Sequence, residues 1–382
     1  MFHAAILGTT GASRFIKQIM DGPYKVMLKN HGLEPINTVS FINITGEADD
    51  IVDGIPSISI IQFISFYKNG LIQAVIFPRE VYQHVNFFLT DMVKLGVDLE
   101  DVYIADRLQD GDYNADNVAS FLKPYTSAPY LPYLEFHVAD HCNLNCAACE
   151  HYSGLVHEEK FPDYNSFERE FLQLRHFISD IGVIRILGGE PLLNPEINKY
   201  FTLTRATYPH ATIYLVTNAL LLRNMSEEFY ESMREKDIVI NISYYPPMEK
   251  QMGDLAKFLD NKGVHWEKTP LIETFTVKQT LIKQPDAQQQ YFNCLQAHCH
   301  NFYEGKIAAC FLPFMTKYFN KEFDKKLPED GAIDLFEEGL TTEELKVRLL
   351  TAFERCCYCT SPKEIPWSQI HKPSILEDWV RD

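Results

Sequence analysis

The chain has 382 residues, 46% of them hydrophobic and 13% aromatic, with a formal net charge of −17. Such a length predicts two or three domains with ample apolar material for their cores, and so acidic a balance argues against nucleic acid as the main partner, because phosphate binding needs clustered Lys and Arg. No basic stretch precedes an apolar run at Met1, and no run approaches the ~18 apolar residues of a membrane span. Nine cysteines in a chain of this size fit metal binding in the cytoplasm better than a disulfide framework.

Residues 1–110 read as a small parallel α/β domain. Strands are expected at Ala4–Leu7, Thr38–Ile44, Ala74–Phe77 and Val102–Ala105, with a helical pattern following Gly8–Ser13 through Ile19 and helices around Ile60–Tyr67 and over Pro78–Leu95. The loop Gly8-Thr-Thr-Gly11-Ala-Ser13 departs from the dinucleotide pattern G-x-G-x-x-G, since Thr10 and Ser13 replace two glycines, so nicotinamide binding is not expected. With the string Ile51-Val-Asp-Gly-Ile-Pro-Ser57, this region resembles the Rossmann-like N-terminal domain of bacterial sugar acyltransferases. Two roles suit it: recognition of a nucleotide, sugar or partner at the helix start after Gly8, or a scaffold for oligomerisation.

Residues 111–132 are rich in Pro, Gly and Asn and read as a linker. From 133 to 285 strands and helices alternate, with strands at 133–138, 183–187, 211–216, 238–243 and 263–267 and helices at 166–181, 195–207, 226–235 and 248–262. Directly after the first strand comes Cys142-Asn-Leu-Asn-Cys146-Ala-Ala-Cys149, a C-x3-C-x2-C run. Three thiolates can hold a cubane 4Fe–4S cluster by three irons and leave the fourth open for chemistry. A zinc site or inert thiols are the alternatives. The next strand ends in Gly188, Gly189, Glu190 and Pro191, where glycines permit close approach and a carboxylate can meet an ammonium. Two further strands end in Thr217-Asn218 and Ser243, at the carboxyl ends where open parallel sheets gather ligands.

The cysteine run and the Gly-Gly-Glu-Pro segment together resemble the radical S-adenosylmethionine (radical SAM) superfamily. The resemblance implies a partial (β/α)6 TIM-type barrel over 133–285 and a 4Fe–4S cluster on Cys142, Cys146 and Cys149. It also implies S-adenosyl-L-methionine on that cluster's open iron, cleaved reductively to a 5′-deoxyadenosyl radical. Gly188, Gly189 and Glu190 would meet the cofactor's amino group, Asn218 and Ser243 its ribose or carboxylate, and the Ala148 backbone its adenine. Ala148 stands where this family often has an aromatic residue, so ring stacking is expected from elsewhere, with Tyr152 a candidate. His137, His141 and His151 lie near the loop, but no general base is assigned.

The other six cysteines lie in residues 286–382. Cys294, ten residues, Gly305, four residues and Cys310 are followed much later by Cys356-Cys357-Tyr-Cys359; Asn301–Cys310 reads as a hairpin turning at Glu304-Gly305. This pattern is similar to the shortened SPASM, or twitch, auxiliary module of the superfamily. That similarity implies a second 4Fe–4S cluster on Cys294, Cys310, Cys356 and Cys359. Cys299 in place of Cys294, and a zinc ribbon, are the alternatives. Four thiolates leave no open iron, so the second cluster would relay electrons or tie the fold. A relay suits oxidation of an alcohol or amine on a small, carbohydrate-like substrate, similar to a dehydrogenase of an aminocyclitol within the family. Epimerisation would need a hydrogen donor, for which Cys299 or Cys357 is available; peptide maturation usually brings a winged-helix domain that residues 1–110 do not suggest. A flavodoxin or ferredoxin is the expected electron donor. A zinc- or iron-bound structural or regulatory protein is the non-enzymatic alternative.

Overall fold

A computed structural model describes residues 2–44, 51–79, 88–89, 91–105, 121–297, 299–371 and 373–381. The chain divides into two compact units, Met1–Pro132 with Thr342–Lys346, and Tyr133–Thr341 with Val347–Asp382.

In the first unit, β1 (Phe2–Leu7), β2 (Ile36–Asn43), β3 (Ile51–Val52), β4 (Ile55–Ser59), β5 (Ala74–Pro78), β6 (Val102–Ala105) and β7 (Leu122–Pro124) form one sheet in the order β3-β4-β2-β1-β5-β6-β7. The inner pairs β4/β2, β2/β1, β1/β5 and β5/β6 are parallel, and β3 and β7 close the edges antiparallel. Helix Gly11–Ile19 buries Ile16 and Ile19 against Ala4, Ile6, Phe41 and Ile76. Its first turn is closed from within. Thr10 Oγ1 accepts the Ser13 N–H, while Ser13 Oγ donates to Leu7 O at 2.8 Å.

Helix Ile60–Lys68 starts on a capping box between Ser59 and Gln62. Of the helix expected at Pro78–Leu95, Pro78 ends β5, residues 88–89 and 91–94 are helical, and the rest lies outside the described residues. The described part of the expected linker is structured. Phe121 is core, and Leu122–Pro124 pairs with β6 because its alternating apolar side chains complete that edge. Lys346 is buried in this unit, its ammonium donating to the carbonyls of Tyr125, Ala128 and Tyr130. Three acceptors match its three donors.

The second unit is built on an eight-stranded sheet of β8 (Tyr130–Ala139), β9 (Asp180–Gly188), β10 (Thr212–Thr217), β11 (Ile238–Ile242), β12 (Trp266–Lys268), β14 (Asn301–Tyr303), β15 (Lys306–Ala308) and β16 (Ile333–Asp334). The strand order is β12-β11-β10-β9-β8-β14-β15-β16. The pairs β9/β10, β10/β11 and β11/β12 are parallel. Four of the five expected strands are present and the fifth, expected at 263–267, is a short β12 shifted to Trp266–Lys268, in the parallel-stranded α/β arrangement of a partial TIM-type barrel. The sixth place, parallel to β8, is taken by β14 from the cysteine-rich region, not by the strand next in sequence.

Alternation sorts the faces of this sheet. Ile184, Ile186, Ile213, Leu215, Ile240 and Ile242 are fully buried, whereas Glu135, Arg185, Tyr214, Asn241 and Glu267 occupy the opposite register. Helix Tyr164–Phe177 packs its Phe167, Phe171, Leu174 and Phe177 inward and is N-capped by Asp163. The hairpin turns at Glu304 and Gly305, with φ of 47° and 72°, as a two-residue type I′ turn requires. A separate antiparallel pair joins β13 (Thr274–Gln279) to β17 (Cys359–Pro366). No helix among the described residues is long and apolar enough to cross a membrane.

Candidate metal and cofactor centre

Cys142, Cys146 and Cys149 lie on the loop that leaves β8. Asn145 and Ala148 adopt φ of 53° and 56°, and the Leu144 N–H points at Cys142 Sγ, 3.4 Å away, so the loop curls around its own sulfurs. A C-terminal segment clasps it. Ala147 N–H donates to Ser368 O at 2.8 Å, Ile370 N–H to Asn145 O at 2.9 Å and Ala148 N–H to Asp378 O at 2.7 Å. The Trp367 indole N–H donates to Cys146 Sγ at 3.2 Å. Burial pushes the Cys142 thiol up to about 12, with Glu190 and Cys149 adding to the shift, and burial likewise raises Cys146 and Cys149. These thiols therefore stay protonated near neutrality, and a metal bound here would displace their protons.

The Gly188-Gly189-Glu190 segment packs directly on this loop. A Cβ on Gly188 would lie 2.1 Å from Ala139 O, and one on Gly189 would lie 2.2 Å from His141 O. Close approach to a ligand was the expected reason for these glycines; the neighbouring strand end supplies a nearer one. Gly189 and Glu190 N–H donate to Ala139 O and His141 O at 2.7 and 3.1 Å. Glu190 is fully buried. Its carboxylate accepts from Thr217 Oγ1 at 2.7 Å, Asn218 N–H at 2.9 Å and Leu192 N–H at 3.1 Å. Burial nevertheless lifts its pKa to about 7, so an arriving cation would hold it ionised.

Asn218 connects this carboxylate to the cysteine loop, since its Nδ2 donates to Asn143 Oδ1 at 2.7 Å and lies 3.8 Å from Cys142 Sγ. Ser243 sits one strand further along, its N–H bonded to Thr217 O at 2.9 Å. Ala148 and Cys149 line a cavity of about 240 Å³ with Glu150, His151, Tyr245, Phe275 and Thr276. The Ala148 N–H is already bonded to Asp378 O and so is not free for a ligand there. The aromatic residues at hand are Tyr245 and Phe275, not Tyr152. Tyr152 is core, packed on Phe319 and Trp379 with its hydroxyl near Arg355.

The three histidines are held in place by the fold. His141 Nδ1 accepts the Lys160 N–H at 3.0 Å. His151 Nδ1 lies 3.1 Å from Gly188 O, and burial pushes its pKa down to about 3, so the neutral ring donates there. His137 packs 4.8 Å from the His151 ring and 3.5 Å from Asp140, which accepts from both Tyr303 and Tyr318.

Cys294, Cys310, Cys356 and Cys359 line one cavity with Tyr291, Ala309 and Arg355. They come from the turn after helix Ala287–Phe292, the hairpin exit, and the turn leading into β17. Neither Cys299 nor Cys357 lines this cavity, although Cys299 lies within electrostatic reach of Glu135, Lys278, Arg185 and Cys310. Burial raises Cys310 and Cys359 and pushes Cys356 up to about 12. Among the described residues no three Cys, His, Asp or Glu side chains are gathered closely enough to hold one metal ion. Four thiols around a cavity, three of them buried, and three on a curled loop, are donor sets that fit iron–sulfur clusters, which are held by thiolates.

Sequence reasoning missed Glu150, Thr276, Lys278, Tyr245 and Trp367. Lys278 Nζ lies 3.5 Å from Glu150 and 3.9 Å from Cys294 Sγ, and it lines a second cavity of about 200 Å³ with Glu150, Thr276, Cys294 and Cys359. Glu150 directly follows Cys149, but Thr276, Lys278, Tyr245 and Trp367 stand in no recognisable spacing from the cysteines. Trp367 offered the one usable signal, since a buried indole N–H needs an acceptor.

Residues 137–252 match the radical SAM superfamily. The chain is 34% identical over 113 residues to a GTP 3′,8-cyclase of Clostridium botulinum (strain Hall), covering 29% of this chain and 34% of that protein. It is 36% identical over 130 residues to a GTP 3′,8-cyclase of Desulforamulus reducens, covering 34% and 39%. The chain thus spans only about a third of the length of these curated relatives. Among solved structures, BtrN in complex with AdoMet and 2-DOIA aligns at 14% identity and TM-score 0.40, covering 60% of this chain and 93% of that one.

Proposed function

We propose that this chain, a radical SAM superfamily protein by its residues 137–252, is an oxidoreductase that removes hydrogen from a small polar, carbohydrate-like alcohol or amine. The observation that carries this reading is the second cysteine set. Cys294, Cys310, Cys356 and Cys359 line one cavity, and Lys278 bridges from Cys294 to Glu150, next to Cys149. When bound, the cofactors supply a radical that takes one hydrogen atom and an acceptor for the electron that remains, which with loss of one proton makes a two-electron oxidation.

The chain's own residues then have separable tasks. Cys142, Cys146 and Cys149 would hold the first cluster, and Cys294, Cys310, Cys356 and Cys359 the second. Glu190 offers a buried carboxylate to the methionine ammonium of S-adenosyl-L-methionine, a charge-assisted bond in a dry setting. Gly188 and Gly189 let that carboxylate sit hard against the cysteine loop. Asn218 and Ser243, at the ends of β10 and β11, would supply polar contacts to the rest of the cofactor, and Ala148 and Tyr245 line the cavity where its adenine would lie. Substrate would enter beside Thr276 and Glu150, where the cavity wall mixes aromatic and polar groups.

Free thiols throughout support a reducing, cytoplasmic setting with a flavodoxin- or ferredoxin-type donor. Anaerobic reconstitution with iron and sulfide is expected to give about eight Fe per chain and reductive cleavage of S-adenosyl-L-methionine. Uptake of zinc alone, with the cofactor left intact, would sink the proposal. Trials with aminocyclitol and sugar alcohols, followed for ketone formation, test the substrate class.

A further inference from the structure

Lys278 lies on β13 with its side chain only 12% exposed, between the two cysteine sets. Its ammonium faces the Glu150 carboxylate at 3.5 Å, Cys294 Sγ at 3.9 Å and the Phe311 ring at 5.7 Å. Cys359 and Cys294 share a cavity wall with it, and Cys310 and Cys359 also feel its charge. The second cysteine set also holds Arg355, whose Nη1 lies 3.9 Å from Cys359 Sγ while its Nε and Nη2 donate to Thr316, Gln279 and Tyr152. Lys278 is different: it has an anionic partner, Glu150, which follows Cys149, so its charge is shared between the two centres.

We propose that the Glu150–Lys278 pair is a positioning element that sets the reduction potential of a cluster held by Cys294, Cys310, Cys356 and Cys359. This inference rests on the second-cluster reading above. One-electron reduction adds one negative charge to such a cluster without a proton. A largely buried ammonium beside one of its sulfurs stabilises that added charge, because Coulomb interactions are strong where water is excluded and cluster potentials follow net charge and hydrogen bonds to sulfur. Glu150 opposes the effect by neutralising the ammonium. The two residues therefore act with opposite signs. Lys278 makes the second centre a readier electron acceptor, and Glu150 restrains it.

The test uses the full-length chain carrying Cys142→Ala, Cys146→Ala and Cys149→Ala, so that a single cluster signal remains. After anaerobic reconstitution, iron is counted and the midpoint potential is measured by dithionite titration followed by electron paramagnetic resonance. Lys278→Met should shift the midpoint negative, Glu150→Gln should shift it positive, and Lys278→Arg should hold it near the parent value. About four Fe per chain with unmoved midpoints, or with shifts in the reverse order, overturns this inference alone. An iron-free parent overturns the second-cluster reading and this inference together. Should Lys278→Met fail to assemble a cluster, Glu150→Gln decides, since an absent or negative shift there is fatal.

Discussion

Cys142, Cys146 and Cys149 fall within one loop of eight residues, whereas Cys294, Cys310, Cys356 and Cys359 are gathered from three segments spread over more than sixty residues. The first set is shaped locally. Two left-handed residues and a backbone N–H aimed at a sulfur curl the loop, and the fold adds the clasp from Ser368, Gln369 and Asp378. The second set exists only because hairpin β14–β15 pairs with β8 and β17 pairs with β13. A local site tolerates distant changes; an assembled one depends on every element that carries a ligand. Reactive metal loops and closed relay sites differ in the same way, since one must expose a coordination position and the other must be sealed.

Breaking the first set should have the largest effect. Replacing Cys149 by Ala is expected to abolish S-adenosyl-L-methionine cleavage, a loss of at least ~10³-fold, while leaving the iron of the second set in place. Residual cleavage near the parent rate in a product assay would refute the role given to that thiol. The assembled set should respond by halves. Cys294→Ala should cost about four of eight Fe per chain, and Cys299→Ala should cost none; equal losses would show that the wall of the cavity does not identify the ligands.

Glu190 separates cofactor binding from folding. Glu190→Gln keeps an acceptor for Thr217 and the Leu192 amide but removes the charge and the second oxygen that accepts from the Asn218 amide, so cofactor affinity measured by calorimetry should fall at least ~30-fold, about 2 kcal/mol. The pH dependence of the cofactor-free chain has a definite sign. The Glu190 pKa rises from 4.5 to about 7 on folding, so between those values the folded state keeps a proton that the unfolded state has lost. Stability is therefore fullest below pH 4.5 for this group and declines as pH rises through 7, by on the order of 3 kcal/mol. Urea unfolding at several pH values should show this slope and lose it in Glu190→Gln; an unchanged slope would assign it to another group.

The smallest change expected is at the clasp. Trp367→Phe removes the N–H bond to Cys146 but keeps a ring beside Tyr245, with which Trp367 stacks at 27°. A loss of about 1 kcal/mol in unfolding free energy is expected, and a loss several times larger would mean that the indole's bulk matters more than its bond.

Much of the second unit was legible because its signals are local. The five strands and the helices between them follow from apolar runs bounded by turn residues, and the type I′ turn at Glu304-Gly305 follows from two adjacent residues. Less legible were partners chosen by packing. Tyr152 stands close in sequence to the cysteines and was expected to stack on a cofactor, but the helix carrying Phe319 and the tail carrying Trp379 enclose it. Tyr245, one turn beyond β11, reaches the cavity instead. The stretch 111–132 shows the same limit. Its prolines and asparagines suggest a linker, yet an edge with unpaired backbone groups drew Leu122–Pro124 into the sheet.

By itself the sequence determined that three thiols would sit on one loop after a strand, since eight residues cannot stray far from one another, and that a carboxylate would follow two glycines at the end of the next strand. It listed six further cysteines without deciding which four belong together. The tertiary structure lays a hairpin against β8 and a C-terminal strand against β13, so that Cys294, Cys310, Cys356 and Cys359 line one cavity that Cys299 and Cys357 do not line. It also put a lysine from β13 between the two sets. Contacts so far apart along the chain are selected by packing and strand pairing over the whole unit, and no local spacing encodes them.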